Sequence, residues 1–217
     1  SGLQTPNTDI AANVGVISQA NFSILAEDLE PSIFPDPDSN TLTFTELEIT
    51  VNIGDRFNNI LTNKQTIYFK TEWGLLQNSS CVTEDGKCSV KWQTGPSNTA
   101  PADHKNTITA YAIGEEAFVD ANGNNIFDDG DTVFTDNEEP YVDANRNGIY
   151  DQGEQIIDVP NGNDPAGNNG VHDIPDTFFN GGGCTHSSLC STVMPSVYVW
   201  DDVQLNMDGP AEAAARQ

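Results

Sequence analysis

Residues 106–113 read Asn106-Thr107-Ile108-Thr109-Ala110-Tyr111-Ala112-Ile113, with Ile108, Ala110 and Ala112 on one parity and Thr107, Thr109 and Tyr111 on the other. A period of two in β-branched and aromatic residues reads as a strand with one apolar face. An acidic, Asn/Gly-rich stretch begins at Gly114, and strand character returns only over Val193 to Met207, where Val197, Val199, Val203, Leu205 and Met207 share one parity. The last strand is therefore predicted to lie beside residues 106–113 across the long insertion, covering a sheet edge that would otherwise be open.

Upstream, residues 1 to about 18 are polar and irregular, and Phe22–Ala26 gives the first alternation. Pro31, Pro35 and Pro37, with Asp36, Asp38 and Asn40, break the chain into a loop. Thr41 to Ile53 is a long β pattern whose parity changes near Thr45-Glu46, which predicts a bulge. The turn Gly54–Asn59 leads to strands at Thr66–Trp73, Leu75–Cys81 and Cys88–Trp92, and Gly95 to Lys105 is a loop. Short strands at regular spacing with Gly, Pro and Asn turns predict an all-β sandwich.

The insertion contains an internal repeat. Phe118-Val119-Asp120-Ala121-Asn122-Gly123-Asn124-Asn125-Ile126-Phe127-Asp128-Asp129-Gly130-Asp131 recurs 23 residues later as Tyr141-Val142-Asp143-Ala144-Asn145-Arg146-Asn147-Gly148-Ile149-Tyr150-Asp151-Gln152-Gly153-Glu154. Oxygen side chains at loop positions 1, 3, 5, 9 and 12 are the order in which an EF-hand loop wraps calcium, and position 7 adds a backbone carbonyl. The predicted ligands are Asp120, Asn122, Asn124, Ile126, Asp128 and Asp131 in the first copy. In the second they are Asp143, Asn145, Asn147, Ile149, Asp151 and Glu154. Asp131 is one methylene shorter than Glu154, so the first loop is expected to hold its ion less completely. A looser third copy supplies Asp158, Asn161, Asn163, Asp173 and Asp176, with His172 at its apolar position 8. The flanks show no stripe of helical period, so these are calcium loops without the paired helices of a sensor. Six to eight oxygens in irregular geometry suit calcium better than magnesium. A solvated acidic loop is the plainer alternative, since Asn-Gly and Asp-Gly are also turn signals.

Eight basic residues stand against 33 acidic ones, for a formal net charge of -25. Between Gly114 and Asp176 there are 16 acids and one base, Arg146. Such a segment repels itself unless cations neutralise it. The charge argues against nucleic acid and against anionic membrane surfaces as partners. No apolar run is long enough to span a membrane, and the first residues show no signal-peptide pattern, so the chain is read as a piece of a longer exported protein. Disorder is the reading set aside, because the strand patterns are clear.

Cys81 and Cys88 flank a hairpin turn with a four-residue loop, Thr83 to Gly86, and Cys184 and Cys190 close a second short loop. Two local disulfides, Cys81–Cys88 and Cys184–Cys190, are predicted, and with them an extracellular location. The rival, a zinc site with His186, lacks ribbon or finger spacing.

No catalytic set assembles. Glu115 with Glu138 is the nearest to a glycosidase pair, no Gly-x-Ser-x-Gly occurs, and His104, His172 and His186 sit in polar loops without a nucleophile. The chain reads as a non-enzyme. Phe178-Phe179, an unrepeated aromatic pair beside Gly181–Gly183, is where a ligand site would be sought, and Asp201-Asp202 could add carboxylates to a metal.

Ile49-Thr50-Val51-Asn52-Ile53-Gly54-Asp55-Arg56-Phe57-Asn58-Asn59, with Ile67-Tyr68-Phe69-Lys70-Thr71-Glu72-Trp73-Gly74, Asp85-Gly86-Lys87-Cys88-Ser89-Val90-Lys91-Trp92 and Thr107–Ala112, resembles the bacterial immunoglobulin-like domains of the intimin/invasin type over about residues 20–113. The resemblance implies one immunoglobulin-like β-sandwich (1–217, strands in about 20–113 and 193–207) within a tandem cell-surface array. Residues 114–192 then form an inserted calcium-loop and disulfide lobe at one end of the sandwich, and 208–217 a linker or tail. Plain members join the two flanking strands by a short turn, so the lobe is this chain's departure. The expected function is a calcium-stabilised extracellular module, structural or adhesive, whose partners are neighbouring domains of its own chain. The alternative is a carbohydrate- or protein-binding module that presents its site, for a cell-surface or glycan ligand, on the calcium lobe.

Overall fold

The computed structural model describes residues 15–33 and 44–207, so the Pro35/Pro37 loop, most of the Thr41–Thr45 region and the 208–217 tail lie outside the described residues. Strands β1 (Phe22–Ala26), β2 (Glu46–Ile53), β6 (Lys87–Gln93) and β4 (Leu75–Leu76) form one antiparallel sheet in the order β1-β2-β6-β4. A second antiparallel sheet runs β10-β7-β3-β5, from β10 (Val197–Asn206), β7 (Lys105–Gly114), β3 (Thr66–Thr71) and β5 (Ser80–Val82). The protein is an all-β sandwich. Its core is the inward parity of each strand: Ile49, Val51, Val90 and Trp92 from the first sheet meet Ile67, Phe69, Ile108 and Leu205 from the second, all essentially buried.

β10 lies antiparallel to β7 along its whole length, from Val197 opposite Gly114 to Asn206 opposite Lys105. The chain leaves the sheet at Gly114 beside the N-terminal segment, where Glu115 N–H donates to the Ile17 carbonyl at 2.8 Å. A Cβ on Gly114 would stand 2.4 Å from that carbonyl oxygen, so only glycine permits the approach.

Two local expectations are corrected. Leu75–Cys81 is not one strand: β4 pairs with β6 and β5 with β3, so the chain crosses between sheets in the intervening residues. The turn after Cys81 is not a four-residue hairpin loop. Asp85 and Gly86, at φ 49° and 70°, make a two-residue turn closed by Glu84 and Lys87, and Val82 and Lys87 belong to opposite sheets. Cys81–Cys88 therefore clasps the two sheets together rather than linking neighbours in one. β2 begins at Glu46, and Thr45 still exchanges backbone and side-chain bonds with Thr94; the upstream arm of the expected bulge, residues 41–43, lies outside the described residues.

The pairing Cys81–Cys88 closes a loop of about eight residues. Replacing both cysteines by serine is expected to cost about 2.5 kcal/mol through the chain entropy of the unfolded state, measured by denaturant titration. A change within about 0.5 kcal/mol would mean that the clasp constrains nothing the core does not already hold.

The second repeat of the insertion lies against the outer face of the second sheet, over β7 and β10. Thr107 and Thr109 point outward from β7 yet are fully buried, because their hydroxyls donate to the carbonyls of Asp143 (2.7 Å) and Tyr141 (3.0 Å). Tyr141 and Val142 form β8, paired with β9 (Gln155–Ile156), and the Tyr141 ring meets Trp200 of β10 edge-on at 5.2 Å. Arg146 ties the same region to the sandwich through Glu72 (2.9 Å) and Asp103 (2.8 Å). Arg56 does so near the other end of β7, through Glu115 and the Gly182 carbonyl.

Candidate metal centre

Asp and Asn side chains bond readily to backbone N–H groups just ahead of them, which lets a short polar sequence wind into a tight loop without helix or sheet. The first repeat does this in full. Asp120 accepts from Gly123, Asn124 and Asn125 N–H, and Asn122 and Asn124 each accept from the N–H two residues on. Asp131 reaches back to take Ala121 N–H at 2.8 Å and Asp128 N–H at 3.2 Å. In the second repeat Asp143 accepts from Arg146, Asn147 and Gly148 N–H, while Asn145 and Asn147 repeat their turns. Glu154 takes Ala144 N–H at 2.9 Å and Asp151 N–H at 3.0 Å. Asp131 and Glu154 thus make the same two bonds despite their different lengths. Position 6 has a positive φ in both, Asn125 at 61° and Gly148 at 76°.

The N–H shell leaves the remaining oxygens of each loop as hard donors: carboxylates, amides and the backbone carbonyls of Ile126 and Ile149. That donor set fits calcium. The amide groups of Asn122 and Asn124 are turned toward Asp128 and those of Asn145 and Asn147 toward Asp151, at 2.6–3.2 Å. Each amide therefore bridges a position that a divalent ion would draw on. Among the described residues no three Asp, Glu, His or Cys side chains converge as a metal-binding group.

The residues expected in the third copy part company. Asp158 and Asp173 stand with Asn169, which donates to Asp173 at 2.9 Å, while Gly170 N–H donates to Asp158 at 2.7 Å. Asn161 and Asn163 belong to a separate turn with Asp164. Asp176 joins a different group with Asp136 and Asn180, Asp136 taking Thr177 N–H. Loop spacing does not single out Glu116 and Glu139, two deeply buried acids of the lobe, each 1% exposed. Burial pushes Glu116 up to about 8 and Glu139 up to about 7. A signal for them was present: each stands four residues before Asp120 or Asp143, inside the same 23-residue repeat.

Glu115 and Glu138 do not form a pair. Glu115 is bound by Arg56, and Glu138 stands 3.8 Å from His172. Phe179 is buried among Phe118, Phe127 and Phe134, whereas Phe178 is 42% exposed beside a hollow of about 320 Å³ that also touches the Cys184–Cys190 loop. Asp201 faces β1, taking Ile24 N–H at 3.2 Å, and Asp202 lies on the lobe side of β10 near Asp143 and Arg146; burial raises both carboxyls. No family model, curated protein or solved structure matches this chain.

Proposed function

We propose that this protein is a calcium-stabilised extracellular module of a larger bacterial surface protein, structural or adhesive in role, with an immunoglobulin-like sandwich set among neighbouring domains. The observation that carries the calcium reading is that the residues at positions 1, 3, 5 and 12 of two loops 23 residues apart accept equivalent N–H groups. Two disulfides fit an oxidising compartment, where calcium is plentiful. The surface role rests on the intimin/invasin resemblance of residues 20–113.

Calorimetric titration is expected to show calcium binding at roughly 10⁻⁴ to 10⁻³ M, the range of extracellular modules. Asp143→Ala with Glu154→Ala should remove the ion of the second loop and leave that of the first. No binding at millimolar calcium would overturn the proposal.

A further inference from the structure

We infer that the insertion holds two further calcium sites, each assembled from two distant segments and closed by a buried glutamate that stands four residues before a continuous loop. The inference rests on the calcium reading of those continuous loops and supplies sites that their spacing does not reveal.

Three features define the continuous loops by position. Position 6 has a positive φ and gives its N–H to the second oxygen of position 1; position 5 accepts the N–H of position 7; the carboxylate of position 12 bridges the N–H groups of positions 2 and 9. All three recur in an interrupted loop that starts at Asp158. Gly170, at φ 73°, donates to Asp158 Oδ2, and Asn169 Oδ1 accepts Val171 N–H at 2.7 Å. Val159 and Asp173, the equivalents of positions 2 and 9, both give their N–H to Glu139, at 2.7 and 3.2 Å. Glu139 thus fills position 12 from upstream.

The same set recurs around Asp136. Thr177, at φ 70°, donates to Asp136 Oδ2 at 2.9 Å, and Asp176 Oδ1 accepts Phe178 N–H at 2.8 Å. Asn137 and Asn180 give their N–H to the two oxygens of Glu116, each at 2.8 Å. This loop is interrupted by the whole second repeat. Position 8 then pairs the loops through their rings, Phe127 with Phe179 at 4.5 Å and Tyr150 with His172 at 4.1 Å. The side chains at position 7 (Ile126, Ile149, Val171 and Phe178) are exposed.

A separate observation points to a cation. Among the described residues only four buried side-chain nitrogens or oxygens have no hydrogen-bond partner, and two of them are Asp136 Oδ1 and Asp158 Oδ1, the first-position carboxylates of these two loops. A buried carboxylate oxygen without a donor is costly, and a divalent ion removes the cost. No side chain of opposite charge does so, because Arg146, the one base between Gly114 and Asp176, is engaged by Glu72 and Asp103. Glu116 and Glu139 place a second buried carboxyl group beside each of those two aspartates.

Native mass spectrometry of the whole chain in calcium, with isothermal titration as a second measure, tests the inference. Four ions per chain are expected. Glu116→Gln with Glu139→Gln keeps the shape of each side chain and one of its two acceptor oxygens, and should lower the count from four to two, as should Asp136→Asn with Asp158→Asn, which keeps the oxygen that accepts the Thr177 or Gly170 N–H. Asp120→Asn with Asp143→Asn should remove the other two. A wild-type count of two that either of the first pairs leaves unchanged overturns the inference and leaves the proposed function standing. A wild-type count of zero overturns both, and the wild-type count depends on no variant folding.

Discussion

Tyr141→Ala is expected to destabilise the whole domain by about 3–5 kcal/mol, the range for deleting a large buried ring. Tyr141 is 1% exposed and stands where the lobe meets the sandwich. Its carbonyl takes the Thr109 hydroxyl, and its ring lies against Trp200 on one side and Tyr150 and His172 on the other. Removing the ring opens a cavity between β10 and the second acidic loop, so both should loosen together. Urea titration followed by tryptophan fluorescence should show one transition at lower midpoint. A loss under about 1 kcal/mol would mean that the lobe merely rests on the sheet, as an attachment at one end of the sandwich would.

Calcium removal is the second large effect. With 16 acids and one base between Gly114 and Asp176, the insertion depends on counter-charge more than any other part of the chain. An ion at ten times its dissociation constant stabilises by about 1.4 kcal/mol per site through mass action, so the two continuous loops together contribute about 3 kcal/mol. That decides whether a self-repelling loop stays closed, and it is small beside the apolar burial of two four-stranded sheets. Chelator should therefore open the lobe to protease between Asp129 and Gln155 while β1–β7 and β10 stay protected, read by mass spectrometry of the fragments. Identical cleavage with and without chelator would show that the loops hold themselves closed through Asp–N–H bonds alone.

Much of the fold was legible because strands are local. The parity of Ile108, Ala110 and Ala112 and of Val197, Val199, Val203 and Leu205 specified two strands with apolar faces, and those faces are buried as the alternation requires. The continuous loops were legible for the same reason: each lies within twelve residues, and Asx turns are short-range chemistry. The outward parity of β7 was misleading. Thr107 and Thr109 look like solvent-facing residues, and only the chain that returns over them, 32 and 36 residues later, makes them buried donors.

By itself, then, the sequence determined the strand parities, the pairing of the last strand with residues 106–113, the two local disulfides and the order of oxygens in two loops. The tertiary structure alone decided that Cys81–Cys88 joins two sheets, that the second repeat covers Thr107 and Thr109 on one sheet face, and that Glu116 and Glu139 accept N–H groups from segments distant from their own loops. The physical reason is distance along the chain. A glutamate that accepts N–H groups 20 to 64 residues away leaves no periodicity in its neighbourhood, and the cost of burying its charge is visible only once the segments that surround it are in place.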